Sequence, residues 1–130
     1  SESGKIENAF TSDNTGKIPG GGLVSTAGDL LRFADAIYTN RLLRRETIER
    51  MWTSGKLKSG KLTGYGLGWF LARSPDGDRE IYHTGEQQGT SAMLYLRPEN
   101  RFAFVFLCNM EGLENRVQLS RRVYRMVSRR

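Results

Sequence analysis

Two side chains of this sequence stand out for their chemistry, namely the only histidine, His83, and the only cysteine, Cys108. An imidazole can give or take a proton near neutral pH, and a thiolate can act as a nucleophile. Cys108 ends the apolar run that begins at Phe102 and has no cationic neighbour, so we expect a buried, unreactive thiol. His83 is the stronger candidate, although a lone histidine in a strand is more often structural than catalytic.

Metal and nucleotide sites are not indicated by the sequence. One histidine and one cysteine cannot form a disulfide or a cluster of Cys and His metal ligands. Residues 55–61 have the spacing of a phosphate-binding loop, but Leu62 stands where Ser or Thr would hold magnesium. Gly64, Gly66 and Gly68 do not spell a dinucleotide-binding fingerprint, and we expect them to relieve crowding within a strand. We therefore expect no cofactor and no metal.

Helical periodicity predicts three helices. Thr26 and Asp29 have the spacing of a capping box, and apolar residues recur at helical intervals up to Asn40. A second, short helix is predicted over residues 44–53 and a third over residues 112–130. The third helix is amphipathic, with Leu113, Val117, Val123, Tyr124 and Val127 on its apolar side and Arg121, Arg122, Arg125 and Arg129 on the other.

Between the helices, alternation of side chains predicts four antiparallel strands, over residues 65–72, 80–84, 90–96 and 102–109. Pro98-Glu99-Asn100 is predicted to be the hairpin turn between the last two strands, and residues 55–64 an exposed connection. The last strand is apolar on both sides, so we expect helices to cover both faces of the sheet. The predicted fold class is α+β, an antiparallel sheet flanked by helices.

The length of 130 residues fits a single domain. The net charge is +6, yet residues 1–114 contain 14 basic and 14 acidic side chains, so the excess lies in the C-terminal arginines. We interpret these arginines as the solvated side of the last helix, because no exposed aromatic residues are interleaved with them for nucleic-acid binding. No apolar run reaches the length of a membrane-spanning helix.

Four short motifs occur in a fixed order, and together they are more specific than any one of them. They are Pro19-Gly20-Gly21-Gly22-Leu23-Val24-Ser25-Thr26-Ala27-Gly28-Asp29-Leu30, Gly64-Tyr65-Gly66-Leu67-Gly68-Trp69, His83-Thr84-Gly85 and Cys108-Asn109-Met110. From about residue 17 to residue 126 the chain resembles the C-terminal part of the class C β-lactamase-like family of penicillin-binding proteins and serine hydrolases. The resemblance implies one partial domain of the β-lactamase/transpeptidase-like fold. Its parts are an irregular lead-in (1–18), a glycine-rich loop with helices (19–54), strands (64–110) and a C-terminal helix (112–130).

In that family a serine attacks an amide or ester carbonyl and forms an acyl-enzyme, which water or another acceptor then releases. The family's Ser-x-x-Lys supplies the nucleophile, Tyr-x-Asn a second base, and Lys-Thr-Gly or His-x-Gly lines the edge of the sheet. Of these three elements this chain contains only the last, as His83-Thr84-Gly85. Three partial matches stand at unsuitable places and are interpreted as a loop, a helix end and a turn: Thr53-Ser54-Gly55-Lys56, Tyr38-Thr39-Asn40 and Ser12-Asp13-Asn14.

The resemblance implies catalytic roles for His83, Thr84 and Gly85. His83 would place a positive or donating group near the nucleophile, Thr84 would offer a hydroxyl, and Gly85 would leave the strand edge open. The backbone N–H of Glu86 would form half of the oxyanion hole, and Gln87 would contact substrate. Family members often carry glycine or another small residue where Glu86 stands.

The sequence therefore predicts the C-terminal fragment of a serine acyl hydrolase for β-lactams, D-amino-acid peptides or esters, inactive alone because it lacks the nucleophile. Its expected partners are the acyl substrate and the N-terminal part of a parent protein, with self-association through exposed apolar surface. In a bacterium the resemblance implies a periplasmic or cell-envelope location. The alternative is a non-catalytic binding or assembly module that docks through a sheet edge, and a basic nucleic-acid binder is a weaker third.

Overall fold

The computed structural model describes residues 7–11, 13, 15–18 and 20–128. The four strands form one antiparallel sheet in the order β1-β2-β3-β4, which confirms the predicted α+β class. The strands are β1 (Phe70–Arg73), β2 (Arg79–Gln87), β3 (Thr90–Arg97) and β4 (Phe102–Cys108), and the helices are α1 (Ala27–Tyr38), α2 (Arg45–Met51) and α3 (Arg116–Val127). Some predictions fall outside the described residues. They concern Ser12 and Asn14 of the predicted turn, Pro19 of the glycine-rich motif and Arg129 of the last helix.

Helix α1 begins where the capping box predicts. The Thr26 side chain accepts a hydrogen bond from the Asp29 backbone N–H at 3.1 Å and donates one to the Asp29 carboxylate at 2.8 Å. The first bond satisfies a backbone N–H that the first turn of a helix would otherwise leave without a partner, and the second joins the two side chains. The predicted short helix over 44–53 is also confirmed, as α2.

Alternation along β2 gives the sheet two different faces. Ile81 points to α1 and α2 and joins the apolar core, whereas Glu80 points to α3. The core on the first face consists of Ala34, Ile37, Ile48, Trp52, Trp69, Ile81 and Leu96, all buried. This core fixes β2 against the two helices and so fixes the direction of every side chain further along that strand.

Helix α3 covers the second face, but its arginine side is not simply solvated, as the sequence predicted. Arg121 binds the carboxylate of Glu80 with two hydrogen bonds, of 2.7 and 2.6 Å, and Glu80 is fully buried. The Tyr95 hydroxyl donates a third hydrogen bond to the same carboxylate at 2.6 Å. The amphipathic pattern places Arg121 toward solvent because it carries no information about a buried acid in the opposing strand. Val127, predicted to be on the docked side, is half exposed.

Strand β4 is an edge strand and is less covered than predicted. No residue of β4 is fully buried, and Leu107 is 43% exposed. Cys108 at its end is half-buried, so the prediction of a buried thiol was wrong. The physical reason is that β4 is the edge strand of the described sheet, and its end at Leu107 and Cys108 lines an open cleft.

The predicted strand over 65–72 is also shorter, since β1 begins only at Phe70. Gly64 and Gly68 have φ angles of +70° and +78°, in the left-handed region that glycine favours, and these angles interrupt an extended strand. Gly66 lies between them, close to the end of α2. The three glycines therefore form a tight loop before the strand, not a relief of crowding within it.

Gly66→Ala is expected to lower the free energy of unfolding by about 1–3 kcal/mol, as overpacking does in general. A Cβ at Gly66 would lie 2.0 Å from the Met51 carbonyl oxygen, so backbone would have to move. The matched control is Gly28→Ala in α1, where a Cβ would meet its nearest atom at 3.8 Å. Denaturant unfolding of both variants checks this. Equal stability of the two would contradict the described packing of the loop.

Among the described residues, no helix is both long and apolar enough to cross a membrane.

Candidate active site

The candidate site lies where β2 extends beyond the end of β1. Strand β1 pairs only with residues 79–82 of β2, whereas β3 pairs with residues 81–87. In the part of the chain that the structure describes, residues 83–87 therefore have strand pairing on one side only. His83, Thr84, Gly85, Glu86 and Gln87, all predicted from the sequence as site residues, occupy this unpaired edge.

His83 is exposed at the start of the unpaired edge, and its ring is held by aromatic neighbours. Its Nε2 atom lies 3.0 Å from the hydroxyl oxygen of Tyr65. The Phe70 ring packs beside both rings, with its centroid 4.8 Å from that of Tyr65 and 5.5 Å from that of His83. An exposed histidine oriented in this way is available to a ligand, which a core histidine is not.

The alternation of β2 separates the predicted residues into two groups. His83, Gly85 and Gln87 share the face that bears α1, and Thr84 and Glu86 share the face that bears α3. The structure thus brings His83 and Gly85 together and directs the Thr84 side chain away from them. Thr84 reaches a substrate only at the strand edge itself.

Next to Gly85 the glycine-rich loop and the ends of β2, β3 and β4 enclose an open cleft of about 790 Å³. Small residues, Gly85 and Ala92, lie on its sheet side, and Leu23 and Val24 contribute apolar surface from the loop. The cleft is wide enough for a small organic group, and its lining is mixed, as in many ligand sites.

Gln87 connects the glycine-rich loop to the sheet. Its Oε1 accepts a hydrogen bond from Lys17 Nζ at 2.8 Å, and its amide packs against Gly21. A Cβ at Gly21 would lie 2.3 Å from Gln87 Nε2, so glycine leaves the space that this side chain occupies. Lys17 was not predicted as a neighbour of the site, because 70 residues separate it from Gln87.

The Glu86 side chain holds the segment before α3 against the end of β2. Its carboxylate accepts hydrogen bonds from the Gly112 backbone N–H at 2.9 Å and from Arg116 at 3.0 Å. The hydrogen bond from the Gly112 N–H, and to a smaller extent the one from Arg116, hold the pKa of Glu86 below its ordinary value. Arg116 also donates to the Gly85 carbonyl oxygen at 3.1 Å. The role of the Glu86 backbone N–H in an oxyanion hole stays a prediction.

The described residues contain no group of three or more His, Cys, Asp and Glu side chains placed to hold a metal ion. The chemistry that this edge can offer comes from the imidazole, the Thr84 hydroxyl and backbone groups. An imidazole beside backbone donors can stabilise negative charge on a carbonyl oxygen.

A sheet between helices, with His-Thr-Gly along an unpaired strand edge, is the arrangement that the resemblance to β-lactamase-like proteins implies. The family model described as Beta-lactamase matches residues 2–125, and the chain belongs to this β-lactamase and penicillin-binding-protein-like family. The family is one of serine hydrolases, and the match confirms the resemblance predicted from the four motifs.

One curated relative and one solved structure illustrate the likeness. Penicillin-binding protein 4* of Bacillus subtilis (strain 168) is 33% identical over 95 residues, which cover 72% of this chain and 21% of that protein. The crystal structure of a D-stereospecific amidohydrolase from Streptomyces sp. has a TM-score of 0.54 at 22% identity, covering 67% of this chain and 26% of that one. The second likeness is one of fold. The chain spans about a fifth of the length of the curated relative that it matches.

Proposed function

We propose that this chain forms the His-Thr-Gly side of the active site of a serine acyl hydrolase that acts through an acyl-serine intermediate. The observation that carries the proposal is the position of His83, exposed at the start of an unpaired strand edge and oriented by Tyr65 at 3.0 Å. The nucleophile would come from a Ser-x-x-Lys segment outside these residues. The protein that carries both is called the complete protein below.

In the proposed reaction the serine oxygen forms a bond to the carbonyl carbon of an amide or ester. The serine proton passes to a base and then to the leaving nitrogen or oxygen as the old bond breaks. Water next attacks the acyl carbon, loses its proton to a base, and releases the acid and the free serine. His83 would donate a hydrogen bond or positive charge to the substrate as negative charge develops on the carbonyl oxygen.

The other predicted residues keep the roles that the family resemblance implies, as parts of this proposal. Gly85 would leave the β2 edge open for the substrate backbone, and the Glu86 N–H would donate to the carbonyl oxygen. Thr84 would offer its hydroxyl at the strand edge, and Gln87 would contact substrate. Since this chain contains no Ser-x-x-Lys, it would form no acyl-enzyme by itself.

The substrate classes that we propose are β-lactams, D-amino-acid peptides and small esters. The name of the curated relative, a penicillin-binding protein, supports the first class, and that of the structural neighbour, a D-stereospecific amidohydrolase, is consistent with the second. The open cleft beside Gly85, with Leu23 and Val24 on one side, supports a substrate that carries an apolar group.

The test is a screen of the complete protein with a chromogenic cephalosporin, p-nitrophenyl esters and D-alanyl peptides. We expect hydrolysis of at least one class, and no hydrolysis by the matched variant in which the Ser-x-x-Lys serine is alanine. Activity that persists without that serine would contradict the acyl-serine mechanism. Absence of any acylation would favour the alternative, a binding module that uses the unpaired outer edge of β4.

A further inference from the structure

We propose that Tyr65 is a positioning residue for His83. The Tyr65 hydroxyl donates a hydrogen bond to His83 Nε2 and so holds the neutral imidazole in the form protonated on Nδ1. The inference rests on the proposed function, since it assigns the proton that His83 would present to a substrate. It adds a residue from the Gly-Tyr-Gly-Leu-Gly-Trp motif to the site, and it identifies Nδ1 as the ring nitrogen that would donate a hydrogen bond to the substrate.

The contact between the two residues is well defined. The Tyr65 oxygen lies 3.0 Å from Nε2, within the range of a hydrogen bond, and the two ring centroids are 6.1 Å apart at an angle of 70°. Phe70 packs edge-on against Tyr65 and lies tilted over His83. Two aromatic rings therefore restrict the rotation of an imidazole that is otherwise exposed.

The backbone on both sides of Tyr65 is fixed, so the hydroxyl has a defined position. The Tyr65 carbonyl accepts hydrogen bonds from the Gly55 N–H at 2.8 Å and from the Thr63 hydroxyl at 3.0 Å. Gly66 is packed against Met51, and its N–H donates to the Trp69 carbonyl at 2.8 Å. The buried Trp69 then anchors the loop in the core. These contacts hold the loop in place and so fix the position of the Tyr65 hydroxyl.

The direction of the hydrogen bond follows from the chemistry of the two groups. A neutral imidazole has one nitrogen that donates and one that accepts, and the bond made by one nitrogen decides the role of the other. A phenol hydroxyl is a stronger donor than acceptor, and an unprotonated imidazole nitrogen is a good acceptor. If Tyr65 donates to Nε2, the proton must be on Nδ1, where it is free to donate to a carbonyl oxygen.

Nitrogen-15 NMR on this chain tests the inference without any activity, because His83 is the only histidine and its signals need no assignment. Spectra are recorded at pH 9, where imidazole is neutral, for the wild type, Tyr65→Phe and Tyr82→Phe. Tyr82 is the matched control, since it is the neighbouring residue on β2 and the described contacts of its ring are to Phe70 and Tyr95.

We expect the Nδ1–H form in the wild type and in Tyr82→Phe, and a shift toward the Nε2–H form preferred by free imidazole in Tyr65→Phe. A wild-type chain in the Nε2–H form would overturn the inference, and so would a Tyr65→Phe spectrum identical to that of the wild type. The wild-type spectrum alone decides the tautomer if Tyr65→Phe does not fold.

A second measurement separates this inference from the proposed function. In the complete protein, Tyr65→Phe is expected to slow acylation roughly tenfold, and to have no further effect when His83 is already alanine, since the two act as a unit. If Tyr65→Phe changes the tautomer but neither Tyr65→Phe nor His83→Ala alters the acylation rate, the proposed function fails and the role of Tyr65 in holding the tautomer stands. If His83→Ala slows acylation and Tyr65→Phe changes neither quantity, the role of Tyr65 fails and the proposed function stands.

Discussion

Replacing His83 with alanine in the complete protein is expected to slow acylation of the serine by roughly ten- to a thousandfold. The upper end requires that the imidazole contact the carbonyl oxygen as charge develops on it. Acylation rates of the wild type and of His83→Ala, by stopped flow with a chromogenic substrate, check this effect.

The matched variant is His83→Lys, which should recover more activity than alanine because the family resemblance implies either cationic side chain at this position. Thermal melts of both variants control for folding. We expect small changes in melting temperature, since the His83 side chain is exposed and lies outside the core. An unchanged acylation rate in His83→Ala, or a loss that the melt fully explains, would show that the histidine is structural.

The second large effect is on stability, where Glu80→Ala is expected to lower the free energy of unfolding by about 3–5 kcal/mol. The substitution would leave the Arg121 guanidinium and the buried Tyr95 hydroxyl without their acceptor, and a charge without its partner is costly inside a protein. Because the Arg121 side chain is 29% exposed, water can partly replace the lost carboxylate, which favours the lower part of this range.

Glu80 also makes stability depend on pH. Burial alone would raise its pKa, but the hydrogen bonds and charge of Arg121, with the Tyr95 hydroxyl, outweigh burial and hold the pKa below its ordinary value of 4.5. The ionised group therefore contributes stability fully above pH 4.5, and that contribution is lost as the pH falls through the folded-state pKa. In Glu80→Gln this part of the acid dependence should disappear.

Urea unfolding at pH 7 and at several values below pH 4.5 measures both effects. Glu49→Ala is the control, because Glu49 forms its ion pairs with Arg45 and Arg79 at the surface, where such pairs contribute about 0–1 kcal/mol. Equal destabilisation by Glu80→Ala and Glu49→Ala would contradict a buried role for Glu80.

Local signals predicted most of the fold. The Thr26 and Asp29 pair lies within one helical turn, and alternation along residues 79–97 reveals strands wherever they pair, so both were predictable from neighbouring residues. The position of His83 on a strand followed in the same way. The Gly64 and Gly68 angles did not follow, because glycine permits both an extended strand and a left-handed turn. The loop between them contacts Met51 through Gly66 and Leu67, and its sequence does not reveal that contact.

Contacts between distant segments could not be predicted from the sequence. Tyr65 meets His83 across 18 residues, and Arg121 meets Glu80 across 41, with no spacing rule that relates either pair. The Arg121 pair also opposes the amphipathic pattern, because arginine normally belongs to the solvated side of a helix. Cys108 was predicted as buried from its apolar neighbours, whereas its actual exposure depends on what covers the edge strand β4.

The most direct test of the account is to map the acyl group by mass spectrometry after brief reaction with a fluorescent penicillin, an activated ester or a D-alanyl ester. The complete protein should carry one acyl group, on the peptide that contains Ser-x-x-Lys, and the 130-residue chain alone should carry none. In His83→Ala the same peptide should be labelled, but more slowly. Stoichiometric labelling of any serine within residues 1–130, or acylation of the complete protein at a serine outside Ser-x-x-Lys, would contradict the account.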